Sequence, residues 1–241
     1  MVSVLVDNSV MNHAVAIKHK RIATGTVLWG GVVPDETYTT VSVRAGHQIR
    51  KSKGGEQTLF IVSLARAFMA SQHVACQTEA LKLERFHVPV SRYTGFTYGD
   101  ESLFKYVEIE NALFPLNGFS FSIPGDDPLQ KFRQYLENVQ DMQYVEIKKA
   151  LESAGSKDRT SQDAWHLYSA KTLGLKFVSC DTKLKDQIRS IADRRVRQAL
   201  SDVYVLPSEL CDELGLSKAS DEEFDELARQ VSSLAFHSTT P

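Results

Sequence analysis

Short apolar runs that stop at an aspartate, with helical stripes between them, constrain this chain more than any other feature. Val2 to Val6 is one such run, broken at Asp7-Asn8, and Phe177-Val178-Ser179-Cys180 is another, broken at Asp181. A run this short, apolar at consecutive positions, reads as a strand buried on both faces, the habit of parallel sheets. His73 to Gln77 and Val203 to Leu206 are read as further strands. Strands alternating with helical segments predict an α/β fold of βαβ units around a central, mainly parallel sheet. In open parallel sheets ligands bind beyond the carboxyl ends of the strands, so Asp7 and Asp181 are expected where chemistry is done.

The helical signals fill the intervals. Leu59, Val62, Leu64, Ala65 and Phe68 recur at helical spacing and yield near Ser71. Thr78 is a good N-cap for a helix carrying Glu79, Leu81, Leu83 and Glu84. Asp127-Pro128 joins an N-cap to a proline at the first helical position, ahead of Phe132, Tyr135, Leu136 and Val139. Another helix is expected from Asp141 to near Gly155, one capped by Ser161 running to Gly174, and a single helix over about 182–199. Thr, Val, Gly and aromatic residues from Ile22 to Val43 suggest a hairpin turning at Val33-Pro34-Asp35-Glu36. Residues 87–126 carry Pro, Gly and aromatics without a period and yield no assigned element.

One elaborated domain is expected from 241 residues at 42% hydrophobic content, with insertions at about 20–55 and 87–126 and a helical tail at about 208–236. The tail presents Phe224, Leu227, Ala228, Val231 and Leu234 at amphipathic spacing, and packing on its own domain is the favoured reading. A formal charge of -2 excludes neither nucleic acid nor any other partner, because a local basic stripe suffices to hold phosphates. Cys76, Cys180 and Cys211 are odd in number and lack a C-x-x-C pair, which argues against a disulfide framework or zinc knuckle and for buried thiols in a reducing compartment. The first residues have no basic region before an apolar stretch, and no later stretch reaches the roughly 20 residues of a membrane span. A soluble, cytoplasmic protein without a membrane partner is expected.

Asp7 and Asp181 leave strand ends, and Asp163 falls in the first turn of a helix, where the dipole favours its charge. Each alone reads equally as a cap or turn residue. Together they suit a cage of hard oxygen ligands of the kind that holds magnesium or manganese for phosphodiester hydrolysis. No glycine-rich phosphate loop follows the first strand, where Asp7-Asn8-Ser9 stands instead. His166, three residues after Asp163, reads as a structural histidine rather than a ligand, since no second histidine has ligand spacing. Two basic segments are candidates for phosphate contact and equally for solvated surface. One is Arg44, His47, Arg50, Lys51 and Lys53; the other is Lys183, Lys185, Arg189, Arg194, Arg195 and Arg197.

Val4-Leu5-Val6-Asp7-Asn8-Ser9-Val10 resembles the first strand of the PIN-domain family with its aspartate. Ser161-Gln162-Asp163-Ala164-Trp165-His166-Leu167-Tyr168-Ser169-Ala170, then Gly174, then Phe177 to Asp181, is similar to that family's late acidic motif. Val203-Tyr204-Val205-Leu206-Pro207-Ser208-Glu209 resembles its closing strand and helix start, whereas residues 20–55 and 87–126 have no counterpart. The resemblance implies a PIN-like three-layer α/β/α fold and a metal-dependent endonuclease, foremost a ribonuclease, toxin-like or RNA-processing. It implies that Asp7, Asp163 and Asp181, with Glu84 as the fourth acid and Glu79 in reserve, hold Mg2+ or Mn2+ and are catalytic. Asn8, Ser179, Lys183, Arg194 and Arg195 become candidate nucleic-acid contacts. RNA is the expected partner, with single-stranded DNA, a regulatory protein and a second copy of the chain as further candidates. A PIN-like scaffold that binds nucleic acid or protein without cutting is the alternative.

Overall fold

The structure, a computed structural model, describes residues 1–12, 17–29, 33–44, 55–84, 104–107, 128–155 and 160–226. Its centre is an all-parallel sheet of β1 (Ser3–Val6), β4 (Val74–Gln77), β5 (Phe104–Tyr106), β6 (Lys176–Val178) and β7 (Tyr204–Val205), in the order β5-β4-β1-β6-β7. Around it stand α1 (Asn8–Asn12), α2 (Thr58–Met69), α3 (Glu79–Glu84), α4 (Pro128–Asn138), α5 (Met142–Ala154), α6 (Thr160–Thr172), α7 (Thr182–Ser190), α8 (Arg194–Val203) and α9 (Pro207–Leu214). β2 (Ile17–Trp29) and β3 (Val33–Arg44) pair antiparallel as a separate ribbon.

The alternation of side chains along β1 divides the interior into two cores. Val4 and Val6 join Ala75, Val178 and Val205 in packing on α1, α2 and α9, through Val10, Met11, Ile61, Leu64, Phe68, Leu210 and Cys211. Leu5, Cys76, Phe177 and Tyr204 pack instead on α3 to α8. The consecutive apolar residues of β1 are therefore all needed, and Val4, Leu5 and Val6 are at most 1% exposed. Cys76, Cys180 and Cys211 are buried free thiols within these cores.

α6 lies inside the second core and is buried on nearly every side. Trp165 fixes it there, ringed by Phe132, Tyr135, Tyr144 and Tyr168 at centroid distances of 6.3, 5.8, 5.7 and 5.5 Å. Such aromatic pairs each add about 0.5–1.5 kcal/mol beyond area burial, so the helix is firmly placed. It ends at Gly174, whose φ of 64° is left-handed, with Leu175 N–H donating to Ala170 C=O at 2.8 Å.

Several boundaries differ from the sequence expectation. The segment over 182–199 is two helices, because Asp193 accepts from Arg195 and Val196 amides and starts α8, while Ile191 is extended and buried. Ser161 does not cap α6, which begins at Thr160; its hydroxyl donates to Glu137 at 2.8 Å. Val33 to Glu36 belong to β3 rather than to a turn, with Pro34 opposite Leu28; a two-stranded ribbon has edges that tolerate proline. The connection between β2 and β3 falls on residues 30–32, outside the described residues. β5 arises within the unassigned 87–126 stretch, most of which also lies outside them. Of the tail stripe, Phe224 is described and buried, and Arg66 of α2 pairs with Glu223, so this part packs on its own domain. Among the described residues no helix is long and apolar enough to cross a membrane.

Candidate functional site

The chain builds the sheet outward from β1 to β4 and β5, then returns to the other side of β1 with β6 and β7. Strand order thus reverses between β1 and β6, and the carboxyl ends of such a neighbouring pair open a crevice. Asp7 leaves β1 at this point, with its amide on Val178 C=O at 3.0 Å, and Ser179 to Asp181 leave β6 beside it. α3 brings Glu84 to the crevice and the first turn of α6 brings Asp163.

Asp7 is held by two hydroxyls. Ser9 Oγ donates to Asp7 Oδ2 at 2.5 Å and Ser179 Oγ donates to the same oxygen at 2.7 Å. Cys180 N–H donates to Ser9 Oγ and Asp181 N–H to Ser179 Oγ, at 2.9 and 3.1 Å. Each hydroxyl has one proton, and both are directed at Asp7 Oδ2; among the described residues no donor reaches Oδ1. Burial still raises the Asp7 carboxyl above its ordinary range, against the two serine bonds and His166.

Glu84 is more fully satisfied. Gln162 Nε2 and His166 Nε2 both lie 2.9 Å from Glu84 Oε1, and Asn8 Nδ2 reaches Oε2 at 3.4 Å. Burial alone would raise this carboxyl, but the charge of His166 and these hydrogen bonds hold it below the usual range. His166 is raised in turn: burial opposes its charge, but Glu84, Asp7 and Asp163 outweigh it. Arg133 Nε donates to Gln162 Oε1 at 3.3 Å, which orients the amide so that its nitrogen faces Glu84. Asn8 also donates to Leu81 C=O at 2.8 Å and so ties the end of β1 to α3.

Asp163 is the exception. Among the described residues nothing donates a hydrogen bond to it, although it is largely buried. Burial pushes its carboxyl up to about 7; His166 offsets part of this, while Asp7, Glu84 and Asp181 add to it. Asp181 is exposed, and its Oδ1 accepts from Lys183 and Leu184 amides as the N-cap of α7.

The structure therefore places Asp163 within electrostatic reach of Asp7, Glu84 and Asp181, and Asp7 within reach of Glu84. Glu79 is not in that set; it lies at the start of α3, 3.8 Å from Lys82. The donor set is chemically suited to a hard divalent cation: all-oxygen, surplus in negative charge, with one largely buried carboxylate that has no donor among the described residues. Among the described residues no three His, Cys, Asp or Glu side chains are set as they stand to hold a metal. One oxygen each of Asp7, Glu84 and Asp181 is engaged by protein donors: Oδ2, Oε1 and Oδ1, respectively.

The expected nucleic-acid contacts separate. Lys183 is exposed two residues from Asp181. Asn8 and Ser179 face inward, as donors to Glu84 and Asp7. Arg195 pairs with Glu146 of α5, and the two line a hollow with Lys171, eight residues and about 12 Å along α6 from Asp163. The structure thus does not bring Arg195 to the acids, and Arg194 is its exposed neighbour at the start of α8. Of the earlier basic loop, residues 45–54 lie outside the described residues.

Ser9, Gln162 and Arg133 escaped the sequence reading, and among the described residues His166 is only half satisfied, with Nε2 engaged and Nδ1 buried without a partner. A signal for one of them is present: Gln162 lies four residues before His166, both polar and buried on a helix that is otherwise core. No family model, curated protein or solved structure matches this chain.

Proposed function

We propose that this is a PIN-like, metal-dependent endonuclease that hydrolyses phosphodiester bonds, with RNA as the favoured substrate. The observation that carries the reading is Asp163, a largely buried carboxylate with no donor among the described residues, surrounded by Asp7, Glu84 and Asp181 where strand order reverses. A buried charge is costly unless a cation or donors compensate it, so such an arrangement is best accounted for by a cation that shares these acids.

Asp7, Asp163 and Asp181, with Glu84, would hold Mg2+ or Mn2+, which when bound supplies a hydroxide at neutral pH and offsets charge on the leaving oxygen. The chain's own contribution is positional. Ser9 and Ser179 pin one oxygen of Asp7 and leave the other for a ligand. The α7 amides pin one oxygen of Asp181 in the same manner. Lys183, exposed two residues from Asp181, would meet a backbone phosphate. Acid protonates the ligands and weakens the hold on a hard cation.

The test is to incubate the purified chain with labelled single-stranded RNA and DNA, with Mn2+ or with chelator. Manganese-dependent cleavage is expected, and Asp7→Asn and Asp181→Asn should keep the fold by circular dichroism while abolishing it. Cleavage at the parent rate by both variants removes the mechanism. One observation favours a second reading, a scaffold that binds without cutting: three of the four acids already have protein donors. That scaffold would retard RNA on a gel and leave its length unchanged with metal present.

A further inference from the structure

Glu84 differs from the other three acids in being gripped at one oxygen by two side chains of a single helix. Gln162 and His166 are four residues apart, so they share a face of α6 one turn apart, and both nitrogens reach Glu84 Oε1 at 2.9 Å. Both are buried, at 6% and 2% exposure, where polar groups are retained only with partners. Neither can turn away freely. The His166 ring stacks on Phe177 of β6 at 5.9 Å and 22°, while Arg133, which can only donate, fixes the Gln162 carbonyl toward itself. Among the described residues the opposite oxygen, Oε2, has only the long 3.4 Å approach of Asn8.

We propose that Gln162 and His166 form a clamp that positions Glu84: they occupy Oε1 and present Oε2 as the oxygen available to a cation shared with Asp7 and Asp163. The inference rests on the metal-site reading for its purpose, but the clamp itself is a claim about this chain alone. Both are positioning residues, acting through Glu84 and not on a substrate. Hydrogen-bonded partners behind a ligand set its orientation, and their loss costs roughly 10–100-fold in metal affinity. α6 then contributes twice to the site, through Asp163 directly and through Gln162 and His166 at one remove.

The experiment uses the full chain and four variants: His166→Phe, which keeps a ring against Phe177 but has no donor; His166→Gln, which restores a donor at similar reach; Glu84→Gln; and the His166→Phe, Glu84→Gln double variant. Urea unfolding in chelator closes a double-mutant cycle that needs no metal. The His166→Phe and Glu84→Gln effects should be non-additive by about tenfold in the unfolding equilibrium. Manganese binding by calorimetry should weaken at least tenfold in His166→Phe and return to within about threefold of the parent in His166→Gln. Additive effects in the cycle overturn the clamp whether or not metal binds. Parent-like manganese affinity in a folded His166→Phe variant also overturns it. A coupled cycle in a parent that binds no manganese leaves the clamp standing and removes the metal-site reading instead.

Discussion

Asp163→Asn should make the metal-free protein more stable, and increasingly so as pH rises. The carboxyl of Asp163 is pushed from 3.8 to about 7, chiefly by burial, with no donor to offset it. Between these values the folded chain holds a proton that the unfolded chain has released, so stability falls as pH rises from about 4 to 7. The full loss corresponds to about 4 kcal/mol. Asparagine is close in shape and cannot ionise, so the variant escapes this loss. Its advantage over the parent should grow by about 2–3 kcal/mol between pH 5 and pH 8. For a domain of this size that is a rise in the Tm difference of roughly 4–12 °C. The assay is urea and thermal unfolding of both proteins in chelator across that range, repeated with Mn2+. Manganese should close the gap from the parent's side, because ligand binding stabilises only the protein that retains the site. A variant no more stable than the parent at pH 8, or an advantage that is flat in pH, refutes the reasoning.

Other outcomes follow from named contacts. Lys183→Glu should weaken RNA binding severalfold and reduce its salt slope by about 1, whereas Arg195→Glu should leave both unchanged, as read by filter binding at several salt concentrations. Asp193→Ala removes the cap of α8 and should cost about 1 kcal/mol in urea unfolding without altering metal affinity.

The sheet was legible because burial on both faces forces consecutive apolar residues, and β1, β4 and β6 each show such a run before a polar break. The partition of 182–203 into two helices was also written there, though less loudly. Leu184, Ile188, Val196 and Leu200 keep helical spacing on either side, but Ile191 to Val196 is a step of five, which no single helix face accommodates. β5 gave no such sign, since Phe104-Lys105-Tyr106 is three residues long and an edge strand. At the site, Asp7, Asp181 and Asp163 stood out through their position after strands and in a first helical turn, whereas Glu84, at the end of α3, was singled out only through the family resemblance. Their supporting residues were not, because which serine or glutamine reaches which carboxylate depends on partners up to 172 residues away. Arg195 shows the converse: a basic helix next to an acidic strand end in sequence can begin at the other end of a neighbouring helix in space.

β1 lies in the middle of its sheet, and that decides when in the life of the molecule anything can happen at Asp7. Its partners on one side are residues 74–77, but those on the other are 176–178. At about 5–20 residues per second, a ribosome needs on the order of ten seconds or more to travel from the first aspartate to the last. Until then the innermost strand has one bare flank, and Asp7 lacks Ser179, which shares its Oδ2 with Ser9. A nascent chain, or one truncated before β6, is accordingly left with an unpaired edge along β1, the kind of edge that invites pairing with another chain.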